Sequence, residues 1–292
     1  MASVPMRGAS PRRNRKTGEL INKILFYILV GVILIYTVFP FYWAIVTSLT
    51  PTSRLFQTPQ YLPTDLTLEN YRSAYANPNF LPALRNSTIV TLTTVTLALV
   101  VGSFAAYAMG RLKFRGRTFI LYLILSMTMF PGIAIVGTFY QLIIRFNLYN
   151  TLWALIISYT VFTLPFTVWT LTNFFKGMPG ELEEAALVDG ATPFQTFYKV
   201  LLPLAAPGLV TTGLLAFIGA WNELLFALTF TQDYNARTAI VFVATFAGES
   251  EFSLPWGSIM ALSVTLTIPL IILVLIFQRR ILAGLTAGAV KG

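Results

Sequence analysis

Six long apolar stretches constrain this chain more than any other feature. They fall at roughly 24–48, 87–109, 118–139, 152–175, 207–230 and 258–278. A helix rises 1.5 Å per residue, so about 20 consecutive apolar residues cross the ~30 Å hydrocarbon core of a bilayer. The expected fold class is therefore an all-α membrane protein with six transmembrane helices. Composition agrees: 56% of the 292 residues are hydrophobic and 11% charged, against about 25% charged in soluble domains. The first run is too long for a cleavable signal peptide and no small-residue cleavage site follows it, so it reads as a signal anchor.

Cysteine and histidine are both absent. That excludes disulfide frameworks, Cys/His metal sites, thiol nucleophiles and histidine general-base chemistry. The net charge of +9 is explained by its placement. Arg7, Arg12, Arg13, Arg15, Lys16 and Lys23 precede the first run, and Arg111, Lys113, Arg115 and Arg117 join the second to the third. Lys176 and Lys199 lie between the fourth and fifth, and Arg279, Arg280 and Lys291 follow the sixth. Fifteen of the 20 basic residues thus fall on one side. Positively charged flanks stay cytoplasmic, which places both termini in the cytoplasm and leaves no surplus to suggest nucleic acid.

Pro40, Pro131, Pro165 and Pro269 sit within the runs and are expected to bend or loosen their helices. Gly102, Ala106 and Gly110 form a small-residue stripe for close helix packing. Residues 50–85 make the longest outer loop, with LTLENYRSAYANPNFLPAL expected along the interface. Asn86-Ser87-Thr88 fits a glycosylation sequon but stands at the mouth of a span, where it reads as chance.

Between the fourth and fifth runs lies a polar island, ELEEAALVDGATPFQTFYKVLLP, residues 181–203. Glu181, Glu183 and Glu184 suit the first turn of a helix, where negative charge opposes the dipole. Ala185 and Ala186 continue it, and Gly190 supplies the positive φ of a C-terminal stop. Thr192, Pro193 and Gln195 then have the spacing of a capping box with proline at the first helical position. The second helix is expected to run to Leu202 and to end at Pro203. Some thirty residues with two capped ends exceed the two to eight of an ordinary helix–helix connection, which points to a docking element.

The spacing Glu184-Ala185-Ala186, then Gly190, then Val200, Leu202 and Pro203 resembles the cytoplasmic signature of binding-protein-dependent ABC importer permeases. The tail QRRILAGLTAGAVKG, together with ENY at 69–71, NS at 86–87, AAYAMGRLKFRG at 105–116 and FIGAWNELL at 217–225, is similar to the carbohydrate permeases of the maltose/trehalose type. This resemblance implies the type I importer permease fold, with residues 1–20 a basic, disordered arm, 21–278 the permease domain and 279–292 a cytoplasmic tail. Residues 176–206 would be the coupling loop. Glu184, Ala185, Ala186, Asp189, Gly190 and Pro203 would couple to an ATPase, and Thr286, Gly288 and Lys291 in the tail would contact it. The implied partners are a homologous permease, two ATPase subunits, an extracytoplasmic sugar-binding protein and a disaccharide or oligosaccharide, in a bacterial plasma membrane.

Glu223 is the one acidic residue inside an apolar run, about 24 Å by helical rise from Pro207, and a charge there has to face protein or water. Trp221, Asn222 and Glu223 line a translocation path or its outer gate, or else Asn222 and Glu223 bond a neighbouring helix. Tyr159 in the fourth run is a further path candidate. The sequence has no Walker A pattern, so no cofactor is expected on this chain, and ATP and Mg²⁺ would belong to the partner ATPases. A permease for another solute such as glycerol-phosphate, or a self-sufficient secondary carrier, is the alternative; no chain of intramembrane acids supports the carrier.

Overall fold

The computed structural model describes residues 13–55, 61–62, 65–246 and 255–287, all helix and connecting segments. Among the described residues, four helices are long and apolar enough to cross a membrane: α1 (Arg13–Leu49), α3 (Phe80–Arg111), α6 (Leu152–Gly177) and α13 (Trp256–Ala287). The number is up to six if each of two bent helix pairs is one span. The short elements are α2 (Glu69–Ala76), α4 (Arg117–Ser126), α5 (Gly132–Arg145), α7 (Glu181–Val188), α8 (Pro193–Thr196), α9 (Leu202–Leu204), α10 (Ala206–Trp221), α11 (Leu225–Phe230) and α12 (Ala239–Ala244).

The third predicted span is broken. α4 and α5 meet at 97° across Phe130 and Pro131. Proline has no N–H to give and pushes the residue before it out of helical geometry, and Phe130 is accordingly extended at ψ 122°. Pro40, Pro165 and Pro269, by contrast, lie inside unbroken helices. The fifth predicted span also stops early. α10 ends at Trp221, and the chain re-enters helix only at Leu225.

The most extensive packing joins α3 and α6, which run parallel. Their contact follows the small-residue stripe. A Cβ on Gly102 would fall 2.6 Å from Thr167 Cγ2, and one on Gly110 would fall 3.0 Å from Phe175 Cβ. Ala106 between them is fully buried. The stripe is thus a seam within the chain. α10 packs on both helices and on α13, while α1 lies against α13 with its apolar surface outward.

Two asparagines hold the far end of the bundle. Asn70 in α2 donates to Ser48 O (3.0 Å) and Thr50 O (2.8 Å) at the end of α1, and Gly257 at the start of α13 leaves room for it. The stretch expected along the interface is therefore a packed bracket between α1 and α13. Asn86, fully buried, donates to the carbonyls of Tyr234, Asn235 and Arg237 at 3.0–3.2 Å, and Ser87 Oγ accepts from Ala239 N at 2.8 Å. Burial removes Asn86 from any glycosylating enzyme. α3 begins at Phe80, before the expected start of the second span near residue 87.

Both ends of the chain depart from the expected domain boundaries. α1 starts at Arg13, within the arm expected to be disordered, and α13 continues through residue 278 to Ala287. Thr286 falls in that last helical stretch, whereas Gly288 and Lys291 lie outside the described residues.

Gly102→Val should lower stability by about 1–3 kcal/mol through overpacking, seen as a lower thermal midpoint in detergent. Gly137→Ala, whose Cβ would meet nothing within 4 Å, should leave that midpoint unchanged or slightly raised.

Candidate functional site

The island folds as a helical hairpin closed by its own caps. α7 carries Glu181, Glu183 and Glu184 in its first turn. At its other end Gly190 takes φ +80°. There Ala191 N donates to Ala186 O (2.9 Å) and Gly190 N to Leu187 O (3.0 Å), the paired bonds of a Schellman motif. α8 opens with the expected capping box: Thr192 N donates to Gln195 Oε1 at 2.8 Å, and Gln195 N to Thr192 Oγ1 at 3.3 Å. Each bond joins residues three to five apart, so the turn is locally determined.

Pro203 does not end the second helix. Residues Phe197–Leu201 form a π-helical turn, with Leu202 N donating to Phe197 O, and the helix continues as α9. A regular turn would press the proline ring onto the carbonyl four residues back; the wider π turn makes room for it. Between the α8–α9 segment and α10 the path bends by 73°, so Pro203 sits exposed beside the joint.

Glu184, Ala185, Asp189 and Gly190 are exposed, while Ala186 is buried under the turn. Beside them lie the exposed apolar side chains of Leu187, Val188, Phe194 and Tyr198, with Val188 at 87% exposure. Such a cluster at the tip of a rigid hairpin is a surface suited to another protein.

The opposite face of the hairpin is fastened to the spans. Phe197 is buried among Ala106, Leu171, Phe175 and Leu201, with its ring 5.1 Å from that of Phe104 and 4.9 Å from that of Tyr107. At the end of α3, the Arg111 guanidinium donates to Met178 O (2.9 Å), Pro179 O (3.2 Å) and, more weakly, Phe175 O (3.4 Å). Its Nε lies 3.0 Å from Glu183 Oε1 as an ion pair, off the line of a hydrogen bond. One side chain therefore caps the C-terminus of α6 and ties α7 to α3. The sequence showed Arg111 only as a topology charge and Glu183 only as a helix-dipole charge. The GRLKFRG segment was the available signal, but it does not name the partner.

The path candidates separate. Trp221 is buried against α13, its Nε1 donating to Leu266 O at 3.1 Å and its ring stacked on Phe217, so it bonds a neighbouring helix instead of lining the cavity. Asn222 is exposed and bonds its own helix at Ile218 O (2.9 Å). Glu223 and Tyr159 come together, with Phe162, Thr163, Gly219, Ala220 and Phe226, around a cavity of about 220 Å³. Glu223 also caps α11: Oε1 accepts from Phe226 N at 2.9 Å and Oε2 from Ala227 N at 3.1 Å. That cap explains why the predicted fifth span can break at Asn222 inside an apolar run.

Such a bundle, with broken spans, an intramembrane cavity and an anchored hairpin, has the architecture of a polytopic permease subunit. The sequence model of the binding-protein-dependent transport system inner membrane component family matches residues 78–286, and the chain belongs to that family. It is 46% identical to the trehalose transport system permease protein SugB of Mycobacterium tuberculosis, over 88% of this chain and 93% of that protein. It is 42% identical to the trehalose/maltose transport system permease protein MalG of Thermococcus litoralis, over 94% and 99%. Its fold matches a chain of a bacterial ABC transporter involved in the import of the acidic polysaccharide alginate, at TM-score 0.77 and 22% identity, covering 94% of this chain and 99% of that one.

Removing the Arg111 side chain should release the hairpin from the spans. Hydrogen bonds to a charged group contribute about 1.5–3 kcal/mol, so Arg111→Ala should speed amide exchange over 178–190 by at least about tenfold. Exchange rates matching those of the unaltered chain would show that the hairpin is held by its aromatic contacts alone.

Proposed function

We propose that this chain is the membrane permease subunit of an ATP-driven, binding-protein-dependent importer for a disaccharide or oligosaccharide of the trehalose/maltose class. The observation that carries the reading is the hairpin. It is rigid by its own caps, apolar and open at its tip, and tied through Arg111 and Phe197 to α3 and α6. A partner gripping the tip would move the seam between these two spans. The family to which the chain belongs and the names of its relatives supply the substrate class.

In this reading the chain is non-catalytic. It binds no cofactor of its own, and two separate ATPase subunits hold ATP and Mg²⁺. Their closure draws this hairpin and that of a homologous permease together, and the spans reorient around a central site. Glu184, Ala185, Asp189 and Gly190 form the coupling surface, with Ala186 packed beneath it and Thr286, Gly288 and Lys291 as tail contacts. Both termini and the hairpin face the cytoplasm, as the distribution of lysine and arginine indicates. The binding protein meets the opposite end, where Asn70 and Asn86 brace the loops.

Purification of the chain with its bound partners should yield a complex whose ATP hydrolysis is stimulated by binding protein loaded with trehalose or maltose. Stimulation by glycerol-phosphate instead would move the substrate class. Transport by the purified chain without an ATPase would sink the importer reading. Gly190→Val should abolish the stimulation while leaving the protein in the membrane, because a β-branched residue at φ +80° strains the turn. Stimulated hydrolysis in that variant at the wild-type rate would remove Gly190 from the coupling path.

A further inference from the structure

The cavity between α6, α10 and α11 brings a tyrosine hydroxyl and a carboxylate together within an otherwise apolar stretch, and the coupling surface does not use it. Its lining is asymmetric. Phe162 and Phe226, stacked at 4.7 Å between ring centroids, form an apolar wall with Ala220 and Gly219. Tyr159 and Glu223 provide the polar groups.

Both polar groups retain bonding capacity. A carboxylate offers about four acceptor sites over its two oxygens, and the cap on α11 uses one on each oxygen. Tyr159 is 3% exposed. Its hydroxyl shares the cavity lining with the Glu223 carboxylate and has no hydrogen-bond partner of full geometry. A buried hydroxyl left in that condition is unfavourable, and a ligand hydroxyl between the two groups would satisfy it.

We infer that this cavity is a subsite for one ring of the transported sugar, a neutral polyhydroxyl unit, and that Tyr159 and Glu223 set its specificity. Ring hydroxyls donate to the free acceptor sites of Glu223. The Tyr159 hydroxyl donates to, or accepts from, a neighbouring hydroxyl, and the C–H face of the ring lies on the Phe162–Phe226 wall. The negative charge of Glu223 disfavours anionic solutes such as sugar phosphates. At about 220 Å³, the cavity falls short of the ~300–1,000 Å³ of complete ligand pockets. A second ring of a disaccharide therefore has to be held elsewhere, by the homologous permease across the path. The inference rests on the importer reading and adds to it a sugar contact on this chain.

The test is equilibrium binding of radiolabelled trehalose to the purified permease–ATPase complex in nanodiscs, alongside ATPase assays with trehalose-loaded binding protein. Tyr159→Phe keeps the ring and removes only the hydroxyl. It should weaken trehalose binding about tenfold. Glu223→Gln should weaken it at least as much and should reduce the preference for trehalose over trehalose phosphate. Since Glu223→Gln also loses part of the α11 cap, Tyr159→Phe decides the question should the glutamine variant misfold. Wild-type affinity in Tyr159→Phe, in a complex whose ATPase still responds to trehalose, overturns the subsite alone. No trehalose binding and no ATPase response in the wild type overturn the subsite and the substrate class together.

Discussion

Inside hydrocarbon, and where helix ends and loops are buried against packed spans, no water satisfies the freed N–H and C=O groups, so the protein itself has to cap them. Much of this structure follows from that requirement. Where α10 stops at Trp221, the Glu223 carboxylate takes two N–H groups of the next turn. Where α6 stops at Gly177, Arg111 takes the carbonyls of Met178 and Pro179. Where the loop after α11 turns back, Asn86 takes three carbonyls at once. The polar residues placed in or beside apolar runs are thus largely caps, and the interruptions they permit bring otherwise separate surfaces together.

The same requirement links the two ends of the molecule. The Arg111–Glu183 pair and the Phe197 cluster join the hairpin to α3 and α6 at one end. Those helices are held in close register by Gly102, Ala106 and Gly110 along their length, and Tyr159 of α6 reaches the cavity beside Glu223. A displacement of the hairpin therefore has a continuous packed route toward the cavity. The π turn at Phe197–Leu201 and the 73° bend before α10 mark the joint at which the hairpin departs from the fifth span.

The hairpin was legible because its bonds are short-range. Gly190 and the Thr192–Gln195 box act on neighbours three to five residues away, and local sequence specifies such geometry. The path residues were less legible. Trp221, Asn222 and Glu223 are consecutive, yet one faces α13, one is exposed and one turns to the cavity. A regular helix would have spread them in a known order, but the break after Trp221 resets their directions. Pro203 misled for a related reason, since a π turn is not visible in a residue pattern.

The sequence by itself determined the number and position of the apolar runs, the charge bias of their flanks and the doubly capped hairpin, because these depend on length, composition and near neighbours. Only the tertiary structure decided that Gly102 and Gly110 seat α6, that Arg111 anchors α7, and that Glu223 both caps α11 and meets Tyr159. The partners of Arg111 lie 64 to 72 residues along the chain, and those of Asn86 lie 148 to 151 away. Helices packed in a membrane choose such partners by shape and by the need to satisfy buried polar groups, and neither is written in any one segment.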